Sequence, residues 1–100
     1  MAIISFDSQA QTRTLADLVA IKSLSGEERP AADYIEAFLK QAGYTVDHDA
    51  QDNVVAVFEP EITGLPEVNT LHISGHTDTV PPAEGWAQDP FTPKIEGTGE

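Results

Sequence analysis

The sequence PAADYIEAFLKQAGYTVDHDAQDNVVAVF, residues 30–58, decides the fold. Its first half predicts an amphipathic helix ending at Gly43, since glycine suits the left-handed conformation that terminates helices. Its second half predicts an antiparallel hairpin: Tyr44–Asp49 alternates like an edge strand, 51–53 is a turn, and Val54–Phe58 is an apolar run typical of a strand covered on both faces. The helix carries one apolar stripe at intervals of three and four: Ala31, Tyr34, Ile35, Phe38, Leu39 and Ala42.

Another helix is predicted before this stretch, from about Ser8 to Lys22. Leu15, Leu18 and Val19 lie on one of its faces. Three residues could cap its start, and the sequence does not choose among them: Ser8, Thr12 and Thr14.

The start of the second helix also carries a signal. Ser25 is followed three residues later by Glu28, which predicts a capping box in which each side chain satisfies a free backbone N–H. Pro30 falls in the first turn, where its missing N–H costs nothing.

A third strand is predicted at Thr70–Ser74 and a short one at Lys94–Glu96. The order helix, helix, strand, strand, strand predicts an α/β fold, a sheet packed by helices, whose strand order stays open. One hundred residues are enough for one core and too few for two domains.

The composition excludes several function classes. Five basic residues against 17 acidic ones give a net charge of −12, which disfavours binding to nucleic acids and to anionic membrane surfaces. No cysteine is present, so any metal must be held by imidazole or carboxylate groups. No apolar run approaches the roughly 20 residues needed to span a bilayer, and we expect a cytoplasmic protein.

The chemistry is concentrated in residues 75–82, GHTDTVPP, directly after the predicted third strand. His76 and Asp78 are two positions apart, so in an extended chain both side chains leave the same face. The carboxylate can then accept a hydrogen bond from one imidazole nitrogen while the other nitrogen is left for a metal ion. The alternative is a polar turn, which is the commoner meaning of a lone H-x-D.

The surrounding blocks resemble a known family, the co-catalytic zinc amidohydrolases and peptidases. That family includes acetylornithine deacetylase, succinyl-diaminopimelate desuccinylase, aminoacylase-1 and the carboxypeptidase G type. The resemblance rests on SGHTDTVP at 74–81, Gly85-Trp86 and Asp89-Pro90-Phe91, and it extends from about Leu15 to Gly97. The upstream residues that agree are Leu18-Val19, Ser23, Ser25-Gly26, Glu28 and Gly43-Tyr44.

The resemblance implies that His76 binds one of two zinc ions, for which cobalt could substitute, and that Asp78 orients it without binding metal. It implies hydrolysis of the amide bond of an N-acyl amino acid or small peptide, most like the deacetylase and desuccinylase branch. Trp86 and Asp89–Phe91 are interpreted as packing and turn residues.

The same resemblance places the bridging aspartate, the general-base glutamate and the second-zinc histidine beyond Glu100. Residues 1–100 are therefore expected to be the N-terminal part of a zinc-peptidase-like catalytic domain, interrupted in turn-forming residues and inactive alone. The family commonly has a separate dimerisation domain, so a homodimer would form through a region outside these residues.

Other hypotheses stay open. The chain could be a fragment or binding module that keeps the fold without a complete metal site. An acidic cation site at Asp47, Asp49 and Asp52 is disfavoured, because their spacing lacks the loop glycine and terminal glutamate of a calcium hand. His48 is expected to be solvated, and His72 is expected to be a hydrogen-bonded structural residue.

Overall fold

The computed structural model describes residues 7–58 and 70–97. Helix α1 (Ser8–Ala20) and helix α2 (Arg29–Gln41) precede strands β1 (Thr45–His48) and β2 (Val54–Val57). The two strands form an antiparallel sheet in which Thr45 pairs with Val57 and His48 with Val54. Helix α2 packs against this hairpin, which confirms an α/β arrangement of a helix on a two-stranded sheet. Pro60, Gly64 and Pro66 predict a loop at 59–69, which lies outside the described residues.

The first helix starts differently from the expectation. Asp7 is its N-cap, and its Oδ1 accepts hydrogen bonds from the backbone N–H groups of Gln9 and Ala10 at 3.1 Å. The hydroxyls of Thr12 and Thr14 instead donate to carbonyl oxygens one turn back, so neither caps the helix. The acidic residue directly before the helix satisfies its free donors.

The capping box at the second helix is also wrong. Helix α2 begins only at Arg29, its N-cap is Glu28, and the Ser25 hydroxyl makes no capping hydrogen bond to it. The Glu28 carboxylate instead accepts a hydrogen bond of 2.7 Å from the N–H of Gly26. Pro30 does lie in the first turn, as predicted, and Gly43 follows the helix with φ +95°.

The core of the described ranges lies on α2, which contacts both strands of the hairpin. Ala31 and Ala32 are the buried apolar residues of the described ranges, and the Tyr34 hydroxyl donates to Asp17 on α1 at 2.9 Å. The hairpin is covered on one face only: Val55 and Val57 are exposed, so the prediction of a strand covered on both faces is wrong.

The third strand does not form in the described part of the chain. Leu71 and Ile73 are exposed, and residues 70–74 have no neighbouring strand there. A strand needs a partner for its backbone hydrogen bonds, which the apolar pattern alone does not supply. The short strand at Lys94–Glu96 is likewise absent, and these two side chains form an ion pair of 2.8 Å.

Replacing Ala32 with leucine should destabilise the full-length protein by about 1–3 kcal/mol, because a buried helix position has no room for three more carbons. The free energy of unfolding from chemical denaturation measures this. Ala37→Leu, an exposed position on the same helix, should stay within about 0.5 kcal/mol of the parent. Equal losses in both variants would contradict the packing described here.

Candidate functional site

The segment that carries His76 and Asp78 is anchored to the connection between the two helices. Thr79 forms an isolated parallel bridge with Leu24. The N–H of Thr79 donates to the carbonyl oxygen of Ser23 at 2.8 Å, and the N–H of Ser25 donates to the carbonyl oxygen of Thr79 at 3.0 Å. These bonds fix the backbone one residue after Asp78.

His76 and Asp78 are in contact. The imidazole Nδ1 lies 3.1 Å from Asp78 Oδ1 and 3.1 Å from the backbone carbonyl oxygen of the same residue. Both partners are acceptors, which assigns the proton of the neutral ring to Nδ1 and leaves a lone pair on Nε2. The His76 side chain is 84% exposed and that of Asp78 is 42% exposed. Nε2 therefore carries an electron pair that it can donate to a metal ion, and it lies on an exposed ring.

The donor set fits one part of a zinc site. Imidazole nitrogen is a normal zinc ligand, and a carboxylate on the other ring nitrogen is the usual partner of a metal-bound histidine. Within residues 7–58 and 70–97, however, no group of three or more histidine, aspartate or glutamate side chains is arranged to hold a metal. The described residues thus offer one candidate ligand with its orienting group, and the other ligands of a zinc site would have to come from elsewhere.

The segment after the H-x-D motif forms a turn and one side of a groove. The Asp89 carboxylate accepts hydrogen bonds of 3.0 Å from the Phe91 N–H and the Thr92 hydroxyl, and these bonds lower the pKa of Asp89. The predicted turn is therefore present. Trp86 is 63% exposed rather than packed, and it borders a groove of about 330 Å³ shared with Val19 of α1.

His48 is not a solvated residue, contrary to the prediction. Its side chain is 10% exposed, and its Nε2 lies 2.9 Å from Asp52 Oδ1 in the hairpin turn. Its Nδ1 lies 3.5 Å from Glu36 and 3.7 Å from Asp33, both on α2. Residues 47–49 alone could not reveal this, because the carboxylates come from the facing helix and the far side of the turn.

The charges around His48 form one network. Arg29 lies 3.3 Å from the same Asp52 oxygen, and Lys40 lies 3.6 Å from Glu36. The hydrogen bond to Asp52 raises the pKa of His48 most, burial opposes it, and the charge of Glu36 raises it further. When protonated, the ring makes a charge-assisted hydrogen bond to Asp52 within the hairpin and ion pairs with Glu36 and Asp33 on α2, so it links the hairpin to the helix.

This network should make stability depend on pH. The folded-state pKa of His48 lies above its unfolded value of about 6.5. The stabilisation of the fold by protonated His48 is therefore complete below the unfolded pKa and is lost as pH rises through the folded pKa. The difference in unfolding free energy between the full-length protein and its His48→Gln variant should therefore shrink from pH 6 upward. His72→Gln, at an exposed position, is the control. A constant or growing difference for His48→Gln would refute the coupling.

Asp49 and Asp52, two carboxylates of the disfavoured cation site, make local contacts within the hairpin, and His72 is exposed. Asp49 accepts hydrogen bonds of 2.9 Å from the backbone N–H groups of Gln51 and Asn53 and from the Asn53 side chain, and the Asn53 bonds lower the pKa of Asp49. Asp52 is engaged by His48 and Arg29. These carboxylates stabilise the hairpin turn instead of converging on a cation. His72 is exposed, not built into a strand.

Comparison with known proteins gives a consistent group of relatives. Over 81 residues the chain is 38% identical to a succinyl-diaminopimelate desuccinylase of Stenotrophomonas maltophilia, a match covering 79% of this chain and 21% of the relative. It is 36% identical over 76 residues to the desuccinylase of Nautilia profundicola, covering 76% and 20%. A probable carboxypeptidase of Aspergillus fumigatus is 35% identical over 78 residues, covering 66% and 18%.

These relatives confirm the resemblance seen in the sequence blocks. The chain belongs, as a partial segment, to the amidohydrolase and peptidase family that contains these desuccinylases and carboxypeptidases. It spans about a fifth of the length of the curated relatives it matches. No family model matches the chain. No solved structure matches it either.

Neither helix could cross a bilayer: within the part of the chain that the structure describes, none is long and apolar enough.

Proposed function

We propose that this chain forms part of the catalytic domain of a zinc-dependent amidohydrolase, with residues 1–100 at its N-terminal end. The substrate would be an N-acyl amino acid or small peptide, and the relatives named desuccinylase favour an acyl group that carries its own carboxylate. The observation that carries the proposal is the His76–Asp78 pair: an exposed imidazole with a free Nε2, oriented through Nδ1, inside a segment related to desuccinylases.

In this proposal His76 Nε2 is a zinc ligand and Asp78 holds the ring in the tautomer that leaves Nε2 unprotonated. Bound zinc would polarise the scissile carbonyl and lower the pKa of the attacking water. Water adds to the carbonyl carbon, the C–N bond breaks, and the amine leaves with a proton, giving a carboxylate and a free amino group. The other ligands and the general base would come from outside the described residues.

The charge of the chain bears on the substrate. Residues between Lys40 and Lys94 include nine acidic side chains and no lysine or arginine, so this segment offers no permanently charged cation for a substrate carboxylate. A cationic group recognising the acyl carboxylate would therefore have to lie elsewhere, whereas the positively charged amine of a diamino acid product suits the acidic surface.

Native mass spectrometry of the full-length protein, with an assay of amide hydrolysis, tests the proposal. We expect about two zinc ions per chain and release of amino acid from N-succinyl or N-acetyl amino acids. Activity should disappear with a chelator and return with zinc or cobalt. A metal-free protein that does not hydrolyse these amides would favour the alternative of a binding module.

A further inference from the structure

The peptide group between Asp78 and Thr79 is hydrogen-bonded at both ends. Its carbonyl oxygen lies 3.1 Å from His76 Nδ1, and its N–H donates to the carbonyl oxygen of Ser23 at 2.8 Å. The Thr79 hydroxyl makes a longer contact of 3.4 Å with the same Ser23 oxygen. One planar group thus connects the imidazole to Ser23, which lies 56 positions before Thr79 in the chain.

A peptide group transmits such a connection in two ways. Its six atoms are nearly coplanar, so fixing the N–H also fixes the direction of the carbonyl. A hydrogen bond at the N–H also polarises the amide and makes the carbonyl a stronger acceptor, by about 10–30% per bond. Ser23 is only 5% exposed, so water has little access to compete at this end.

The two acceptors of His76 Nδ1 differ in how firmly they are held. The Asp78 carboxylate is on a side chain that is 42% exposed and can rotate into solvent. The Asp78 carbonyl belongs to the backbone and is fixed through Thr79 by Ser23. The backbone acceptor therefore persists when the carboxylate turns away.

We propose that the backbone carbonyl of Ser23 is a positioning group for His76. Acting through the Thr79 N–H and the Asp78–Thr79 peptide group, it favours the Nδ1–H tautomer and keeps Nε2 available as an electron-pair donor. The use of Nε2 as a zinc ligand rests on the proposed function, whereas the tautomer preference depends only on residues of this chain. The connection between the helices thereby sets the state of the candidate ligand.

Two single-atom backbone changes test this. An ester in place of the Ser23–Leu24 amide weakens the Ser23 carbonyl as an acceptor, and the Leu24 N–H it removes makes no hydrogen bond to a described residue. An ester in place of the Thr79–Val80 amide is the matched control. It weakens the Thr79 carbonyl, the acceptor for the Ser25 N–H in the same bridge, and leaves the path to His76 intact.

The readout is the tautomer of His76 in the full-length protein after metal removal, measured from its ring ¹⁵N chemical shifts at alkaline pH, where imidazoles are neutral. We expect Nδ1–H to predominate in the parent. The ester at Ser23–Leu24 should lower the Nδ1–H to Nε2–H ratio about twofold or more, and the ester at Thr79–Val80 should leave it unchanged.

Equal shifts in both esters would show general loosening of the bridge and would overturn the proposal, as would no shift at Ser23–Leu24. The proposed function fails separately, if His76→Ala leaves the zinc content of the full-length protein unchanged. The tautomer result is independent of that outcome because it is obtained without metal.

Discussion

His76→Ala in the full-length protein should remove about one of two bound zinc ions and lower amide hydrolysis by more than about 100-fold. The variant deletes a ligand, and deletion of a mere orienting partner already costs about 10–100-fold in comparable sites. The zinc content from native mass spectrometry and the kcat/KM for an N-acyl amino acid measure the two effects.

His72→Ala is the matched control for this experiment. It removes an imidazole four residues earlier, at another exposed position of the same segment, where no contact ties the ring to Asp78. We expect its zinc content and activity to equal those of the parent. If the two alanine variants behave alike, His76 is not a ligand.

Asp78→Asn should leave the fold intact and weaken zinc retention by about 10–100-fold. The amide keeps the shape of the side chain but removes the negative charge 3.1 Å from His76 Nδ1. The ring therefore becomes a poorer electron-pair donor to a metal ion at Nε2. The effect should fall toward the lower end of that range, because the backbone carbonyl of Asp78 still accepts from Nδ1. Competition with a chelator of known affinity measures the retention.

Asp47→Asn makes the same chemical change on an exposed position of β1, and it should leave zinc retention unaltered. If Asp78→Asn also retains metal and activity as the parent does, the orienting role of Asp78 is wrong. A loss of secondary structure in Asp78→Asn would instead show that its carboxylate maintains the fold.

The elements that could be predicted from the sequence are those whose interactions are local. The stripe from Ala31 to Ala42 and the glycine at 43 determine α2, since a helix is made of contacts three and four residues apart. The hairpin of Tyr44–Phe58 is similarly local, and its antiparallel pairing is confirmed. The contact between His76 and Asp78 also follows from the H-x-D spacing, because two residues of one short segment determine it.

The features that the sequence did not reveal depend on residues that are not local in the chain. The burial of His48 comes from Asp33 and Glu36 across the helix–hairpin interface, which a scan along β1 cannot see. Ser23 and Thr79 pair chiefly through backbone atoms, which are the same in every residue type. The identities of the two residues therefore do not indicate the pairing. The apolar pattern at 70–74 predicted a strand that does not form in the described part of the chain, because the pattern says nothing of a partner strand.

The Leu24–Thr79 bridge has a consequence for the order in which the molecule folds. Helix α2 and the hairpin can associate early, because their contacts are close in sequence, whereas the bridge closes a loop of more than 50 residues and must overcome its closure entropy first. We therefore expect the geometry of the His76 segment to form late in folding and to be lost early in unfolding. Amide hydrogen exchange should be faster at Thr79 than in α2, so the protein can lose the His76–Asp78 geometry while most of its helical structure persists.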